Sequence, residues 1–268
     1  MVELFSENRK LDGRQSSKGN QLKWFDDTFW FKADFTGYEG LAEYMVSALL
    51  KYCNLQSEEY VLYDTEEIMY ESARYLGCKS KSFLPEGWQL ITLERLFYNF
   101  HGESLYKSIF KIENLENRVT FLVEQIERIT GLNEFGKYMS KLLTIDALFL
   151  NEDRHTHNMA VLLDTKGEYH YCPIFDNGGA LLSDTTMDYP MSEDIYTLLD
   201  KVKSKTFCQD FDEQLDVVER LYGQHLQFTF DRKVIADLLD KESYYPEEIK
   251  TRVEKILLNQ RRKYEYLF

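Results

Sequence analysis

Asp153, Asn158 and Asp176 are three oxygen-bearing side chains whose spacing could do chemistry on a charged substrate. Asp153 opens the run Asp153-Arg154-His155-Thr156-His157-Asn158, and Asp176 opens Asp176-Asn177-Gly178 directly after Phe175. Between them lie two short apolar segments, 159–163 and 169–174, joined by the turn Asp164-Thr165-Lys166-Gly167, which is the pattern of a β-hairpin. The ends of a hairpin lie close together, so the two polar runs are expected to converge. Two carboxylates and an amide are hard oxygen donors, suited to Mg²⁺ with bound phosphate rather than to zinc. Phosphoryl transfer needs an acceptor for the nucleophile's proton, oxygen ligands for the metal, and a cation on the phosphate oxygens. An Asp, an Asn five residues later, a strand pair and a second Asp supply the first two.

The same residues admit other readings. The bland one is a polar turn cluster. His155 and His157 beside Asp153 also form a His-x-His pattern seen in metallohydrolases. No third histidine cluster follows, and that reading leaves the Asp-to-Asn spacing unexplained. His155 is therefore expected to hold the loop by hydrogen bonds, and Arg154 to be either structural or paired with a phosphate in the segment after Gly178.

The order of these elements is that of the protein-kinase catalytic loop and its later D-F-G, with the aromatic replaced here by Asn177. The Asp-Arg-His-x-x-Asn run, followed after a hairpin by Phe-Asp-Asn-Gly, resembles the HipA-like serine/threonine kinases, a family of bacterial toxins and effectors. Ser16-Ser17-Lys18-Gly19-Asn20-Gln21-Leu22-Lys23 fits that family's phosphate-loop pattern, and Tyr38-Glu39-Gly40-Leu41-Ala42-Glu43-Tyr44 resembles its helix after the ATP lysine. With this loop near its start, the chain looks like the short, single-domain members.

The resemblance implies an α+β, protein-kinase-like, two-lobed fold with ATP between the lobes. Residues from 1 to about 90 would be a small β-rich N-lobe, and 91–268 a larger helical C-lobe of the same domain. It implies ATP and Mg²⁺ as cofactors, with Asp153 as catalytic base, His155 in the catalytic loop, and Asn158 and Asp176 as metal ligands. Lys32 would hold the α- and β-phosphates, with Glu43 as its ion-pair partner and Glu39, one turn earlier, as the rival. Ser17, Gly19 and neighbouring backbone N–H groups would cover the phosphates. The reaction implied is transfer of the γ-phosphoryl group to a protein serine or threonine. A phosphoinositide-type lipid kinase, which shares Asp-Arg-His-x-x-Asn, and a silent pseudokinase or binding module are the alternatives. Ser16, Ser17, Ser183, Thr185 and Thr186 are candidates for phosphorylation, and autophosphorylation stays open.

Composition narrows the partners. Asp and Glu number 46 against 32 Lys and Arg, a net charge of −14. Such a surface repels phosphate backbones and lacks a polybasic membrane anchor, so neither nucleic acid nor a membrane is expected as main partner. Hydrophobic residues at 44% and aromatics at 15% suffice for a sizeable core. Cys53, Cys78, Cys172 and Cys208 are scattered, which points to reduced thiols. The acidic amino terminus is unlike a signal peptide and no apolar run is long enough to span a membrane, so a cytoplasmic location in the producing cell is expected, with delivery elsewhere left open.

Elements must hold these side chains. The aromatic-rich segments 21–25 and 28–33 around Asp26-Asp27 predict a hairpin ending near Lys32. Leu41, Met45, Leu49 and Leu50 predict an amphipathic helix from Tyr38 to about Cys53. A β-like piece is expected at 59–63. The region around Gly77, Pro85 and Gly87 stays unassigned. Helices are expected at 117–129, 135–150, 193–202, 213–222, 232–240 and 246–264. The aromatic stripe Phe97, Tyr98 and Phe100 is expected in the core.

Overall fold

The structure is a computed structural model, and it describes residues 1–9 and 21–268. The expected phosphate-loop residues Ser16, Ser17 and Gly19 lie outside the described residues. The chain divides into two units, one built from 1–82, 176–202 and 227–268, the other from 83–175 and 203–226. The fold is α+β.

The first unit holds a five-stranded sheet in the order β1-β4-β5-β3-β2. Its strands are β1 (Val2–Glu3), β2 (Lys23–Phe25), β3 (Phe29–Ala33), β4 (Asp64–Tyr70) and β5 (Ala73–Lys81). Among the described residues the β1–β4 pairing is parallel and the other three are antiparallel. The β2–β3 hairpin forms where the sequence predicts it. Asp26 closes its turn by accepting the Thr28 and Phe29 N–H groups at 3.0 and 2.7 Å. The expected strand at 59–63 is displaced. Residues 57–59 form a 3₁₀ turn, and the strand begins at Asp64. The longest pairing, β4 with β5, turns on Glu71 and Ser72, both with positive φ (50° and 65°). A type I′ turn is built from such residues, but its usual Asn-Gly signature is missing here.

Helix α1 (Glu39–Leu50) packs on this sheet and is buried almost all round. Burying each of Leu41, Met45 and Leu49 is worth about 1.5–3 kcal/mol relative to exposure. The unit is completed by three further helices whose segments return to it late in the chain. They are α6 (Ile195–Lys201), α8 (Arg232–Lys241) and α9 (Glu247–Lys263).

The second unit contains helices α2 (Leu93–His101), α3 (Leu105–Phe110), α4 (Leu115–Thr130), α5 (Phe135–Phe149) and α7 (Phe211–Tyr222). Its three-stranded sheet runs β6-β7-β8, from Gln89–Thr92, Ala160–Leu163 and Tyr169–Tyr171. Helices α2 and α4 stop at Gly102 and Gly131, whose positive φ lets the chain leave in the left-handed conformation. The aromatic stripe is a correction. Phe97 is buried, but Tyr98 and Phe100 are each 58% exposed. Tyr98, one position on, is turned about 100° away from Phe97, whereas Phe100, three positions on, lies nearer the same face and is nonetheless left in solvent at the end of α2. Among the described residues no helix is long and apolar enough to cross a membrane.

Candidate functional site

Each unit carries its own cluster of the residues singled out above. In the first, Lys32 sits near the end of β3 and its Nζ meets Glu43 Oε1 at 2.7 Å and Asp176 Oδ1 at 2.8 Å. The other oxygen of Glu43, Oε2, accepts the Asn177 backbone N–H at 2.8 Å. One carboxylate thus ties the lysine to the segment that opens with Asp176. Burial works against the charge on Lys32, but Asp176 and Glu43 outweigh it and hold the ammonium well above its usual range. Burial pushes the Glu43 carboxyl up and Lys32 pulls it back. With an ammonium on one oxygen and an N–H on the other, the ionised form is the one this geometry stabilises.

The choice between Glu43 and Glu39 is settled by what Glu39 does instead. Its carboxylate accepts the N–H groups of Thr36 (2.7 Å) and Gly37 (3.1 Å) and the Thr36 hydroxyl (2.7 Å), closing the loop that leads into α1. Asp34 completes that junction. It accepts the Gly40 N–H at 2.6 Å and the Tyr245 hydroxyl at 2.7 Å. Burial, with Glu39 nearby, raises the Asp34 carboxyl to about 7, against the pull of Tyr245 and Gly40.

Two glycines set the distance from helix to strand. A Cβ on Gly40 of α1 would lie 2.4 Å from the Gly77 carbonyl carbon, and one on Gly77 of β5 would lie 2.0 Å from the Lys32 carbonyl oxygen. Neither contact tolerates a side chain, so α1 lies against β5 and β5 against β3 at backbone distance. Glu43, three residues after Gly40, is thereby brought within reach of Lys32.

The segment after Asp176 is fixed along its length. Asp176 has φ +62°, and Leu181 and Leu182 are also left-handed, at 57° and 56°. Tyr38 donates its hydroxyl to Leu181 O at 2.6 Å and its N–H to Ser183 O at 3.1 Å. Arg252 of α9 donates to Tyr189 O at 2.9 Å. Ser183 is buried with its hydroxyl on Gly178 O, whereas Thr186 is exposed. Of the hydroxyls in this stretch offered for modification, Ser183 is closed to it in this conformation.

The second unit holds the other cluster. Asn158 Nδ2 donates to the Asp153 carbonyl oxygen at 2.9 Å, and the Asn158 N–H donates to His155 O at 2.8 Å, closing a tight loop. His155 Nδ1 accepts the His157 N–H at 3.2 Å, which leaves the proton of the neutral ring on Nε2. That Nε2 lies 3.9 Å from Asp153 Oδ1. His155 thus does hold the loop by hydrogen bonding. Arg154 takes the structural option. Its Nε meets Asp146 Oδ2 at 3.0 Å and its Nη2 meets Oδ1 at 3.1 Å, while Nη1 donates to Asn158 O and Phe175 O at 3.1 and 2.7 Å.

Asp146 was missed in the sequence, although an acid inside the apolar run Thr144-Ile145-Asp146-Ala147-Leu148 signals a buried pair. Asn177 stands in the sequence only as a replaced aromatic, yet its N–H is what Glu43 holds. Among the described residues, the acid and histidine groups whose ligating atoms cluster are Asp164, Glu168 and His170 on the β7–β8 hairpin, not His155 and His157.

These features define a protein-kinase-like fold. No protein-family model and no curated protein matches the sequence. Among solved structures, the chain is similar to the proinflammatory kinase CtkA of Helicobacter pylori, with a TM-score of 0.60 and 16% identity over 98% of this chain and 94% of that one. HipA of Shewanella oneidensis MR-1, solved with HipB and its operator DNA, gives a TM-score of 0.48 and 15% identity over 96% of this chain and 67% of that one.

Proposed function

We propose that the protein is an ATP-dependent phosphotransferase, a serine/threonine protein kinase of HipA-like type acting as a single kinase-like domain. The observation that carries this reading is the bonding of Lys32 to both Glu43 and Asp176, with Asn177 tied to the same glutamate. A lysine, its helical partner and the metal-binding acid are the parts that kinase activation must bring together.

In this reading the front of the chain, to about residue 90, binds ATP and the rest supplies catalysis. Lys32 binds the α- and β-phosphates, and Ser17 and Gly19 cover them. Asp153 accepts the proton of the substrate hydroxyl, and His155 Nε2–H donates toward the charge that develops beside it. Asn158 and Asp176 are the residues that would hold Mg²⁺. The donor set fits, because Asn158 spends its Nδ2 on the Asp153 carbonyl and so offers its amide oxygen, and Asp176 adds a carboxylate. Bound Mg²⁺ would neutralise charge on the β- and γ-phosphates.

Incubation with labelled ATP and Mg²⁺ tests the proposal. The wild type should label serine or threonine in a protein substrate, or in itself, and Asp153→Ala should do so about 10²–10⁴-fold more slowly. No transfer by the wild type would leave a binding module, and label in phosphoinositides would make it a lipid kinase. Metal dependence has a separate readout. The extra thermal stability conferred by ATP with Mg²⁺ over ATP alone should vanish in Asn158→Ala and Asp176→Ala.

A further inference from the structure

Lys32 has a third neighbour that neither the motifs nor the kinase reading assigns. Its Nζ lies 5.2 Å from the centre of the Tyr63 ring. Tyr63 is buried and immediately precedes β4. It is anchored to α1, since its backbone N–H donates to Ser47 Oγ at 3.1 Å, and that fully buried hydroxyl donates to Tyr44 O at 3.2 Å. Glu43 and Ser47 stand four residues apart and so share one face of α1. The same helix face that bonds the ammonium therefore places the ring beside it.

An ammonium has three N–H donors. Glu43 and Asp176 take two, and among the described residues no further oxygen takes the third. The π-face of Tyr63 attracts the cation without adding a further carboxylate or carbonyl that would compete for that donor. We propose that Tyr63 is a positioning residue for Lys32. It holds the ammonium between the two carboxylates with one N–H kept for a phosphate oxygen, and Ser47 sets its depth. This rests on the reading of Lys32 as the phosphate-binding lysine.

The test compares Tyr63→Phe, which keeps the ring, with Tyr63→Leu, which removes it, and with Ser47→Ala, which removes the anchor. The first readout is the NMR shift of the Lys32 ε-methylene in lysine-labelled protein, assigned through Lys32→Arg. The wild type and Tyr63→Phe should share an upfield, ring-shifted signal that Tyr63→Leu loses and Ser47→Ala shifts part of the way. The second is steady-state kinetics. Tyr63→Leu should lower kcat/KM for Mg-ATP about tenfold and Tyr63→Phe by less than about twofold, with KM for the protein substrate unchanged. An unmoved Lys32 signal in Tyr63→Leu, or Tyr63→Phe behaving like Tyr63→Leu, overturns the proposal. So does a moved signal with unchanged kcat/KM. A wild type without ATP turnover overturns the phosphotransfer reading, and the lysine signal then still reports whether Tyr63 holds the ammonium.

Discussion

The two buried ion clusters are built on opposite principles. Arg154 and Asp146 are a closed pair, one cation with one anion, 1% and 0% exposed and joined as a fork. The remaining guanidinium nitrogen is used on backbone carbonyls. Lys32 instead faces two carboxylates, and it and Asp176 keep 13% and 25% exposure. Its cluster has surplus negative charge and a way in. A balanced, sealed pair fixes the chain, whereas an unbalanced, accessible one can take up a further cation.

Breaking the closed pair should have the largest effect on stability. Arg154→Met leaves Asp146 charged and enclosed, at a cost of about 3–5 kcal/mol measured by urea unfolding. Adding Asp146→Asn should recover part of that loss, since the orphaned charge is then gone. In the open cluster the order reverses and function suffers first. Lys32→Met should reduce phosphoryl transfer about 10²–10³-fold. Lys32→Met with Glu43→Gln should unfold at a higher temperature than Lys32→Met alone yet regain no activity, which would separate charge balance from catalysis.

A further effect is a change of pH profile at the junction that supports the open cluster. The folded Asp34 carboxyl titrates near 7, above its unfolded value of 3.8, so the folded state keeps a proton that the unfolded chain gives up. Its contribution is complete below about 3.8 and is lost as pH rises through about 7. Thermal melts from pH 4 to 8 should therefore show the wild type losing stability relative to Asp34→Asn on the way up. Parallel curves would remove Asp34 from this role.

The sequence made the chemistry legible where it is local. Asp153, His155 and Asn158 lie within one loop, and their order survives as text. The β2–β3 hairpin and α1 were also readable, through the Asp26-Asp27 turn and the spacing of Leu41, Met45 and Leu49. The β4–β5 hairpin was not, because Glu71-Ser72 adopts a turn conformation that its residue types do not announce. Nor could spacing show that the late segments of the chain pack with α1 and the junction that leads into it. Those contacts depend on pairs such as Asp34 with Tyr245 and Tyr38 with Leu181, which leave no periodicity. Glu43 and Glu39 stood level in the sequence because both belong to one helical turn, and only the loop hydrogen bonds of Glu39 part them.

The glycine spacing at Gly40 and Gly77 also bears on how relatives should vary. Gly40 is closed by the backbone of β5 and Gly77 by the backbone of its neighbouring strand β3, and neither glycine can shrink to make room for a side chain at the other. Each should therefore be kept on its own account, and both wherever a lysine stands at the place of Lys32. A pattern joining these three positions would trace common descent across a helix and the two neighbouring strands beneath it, at levels of identity where the loop motifs have drifted.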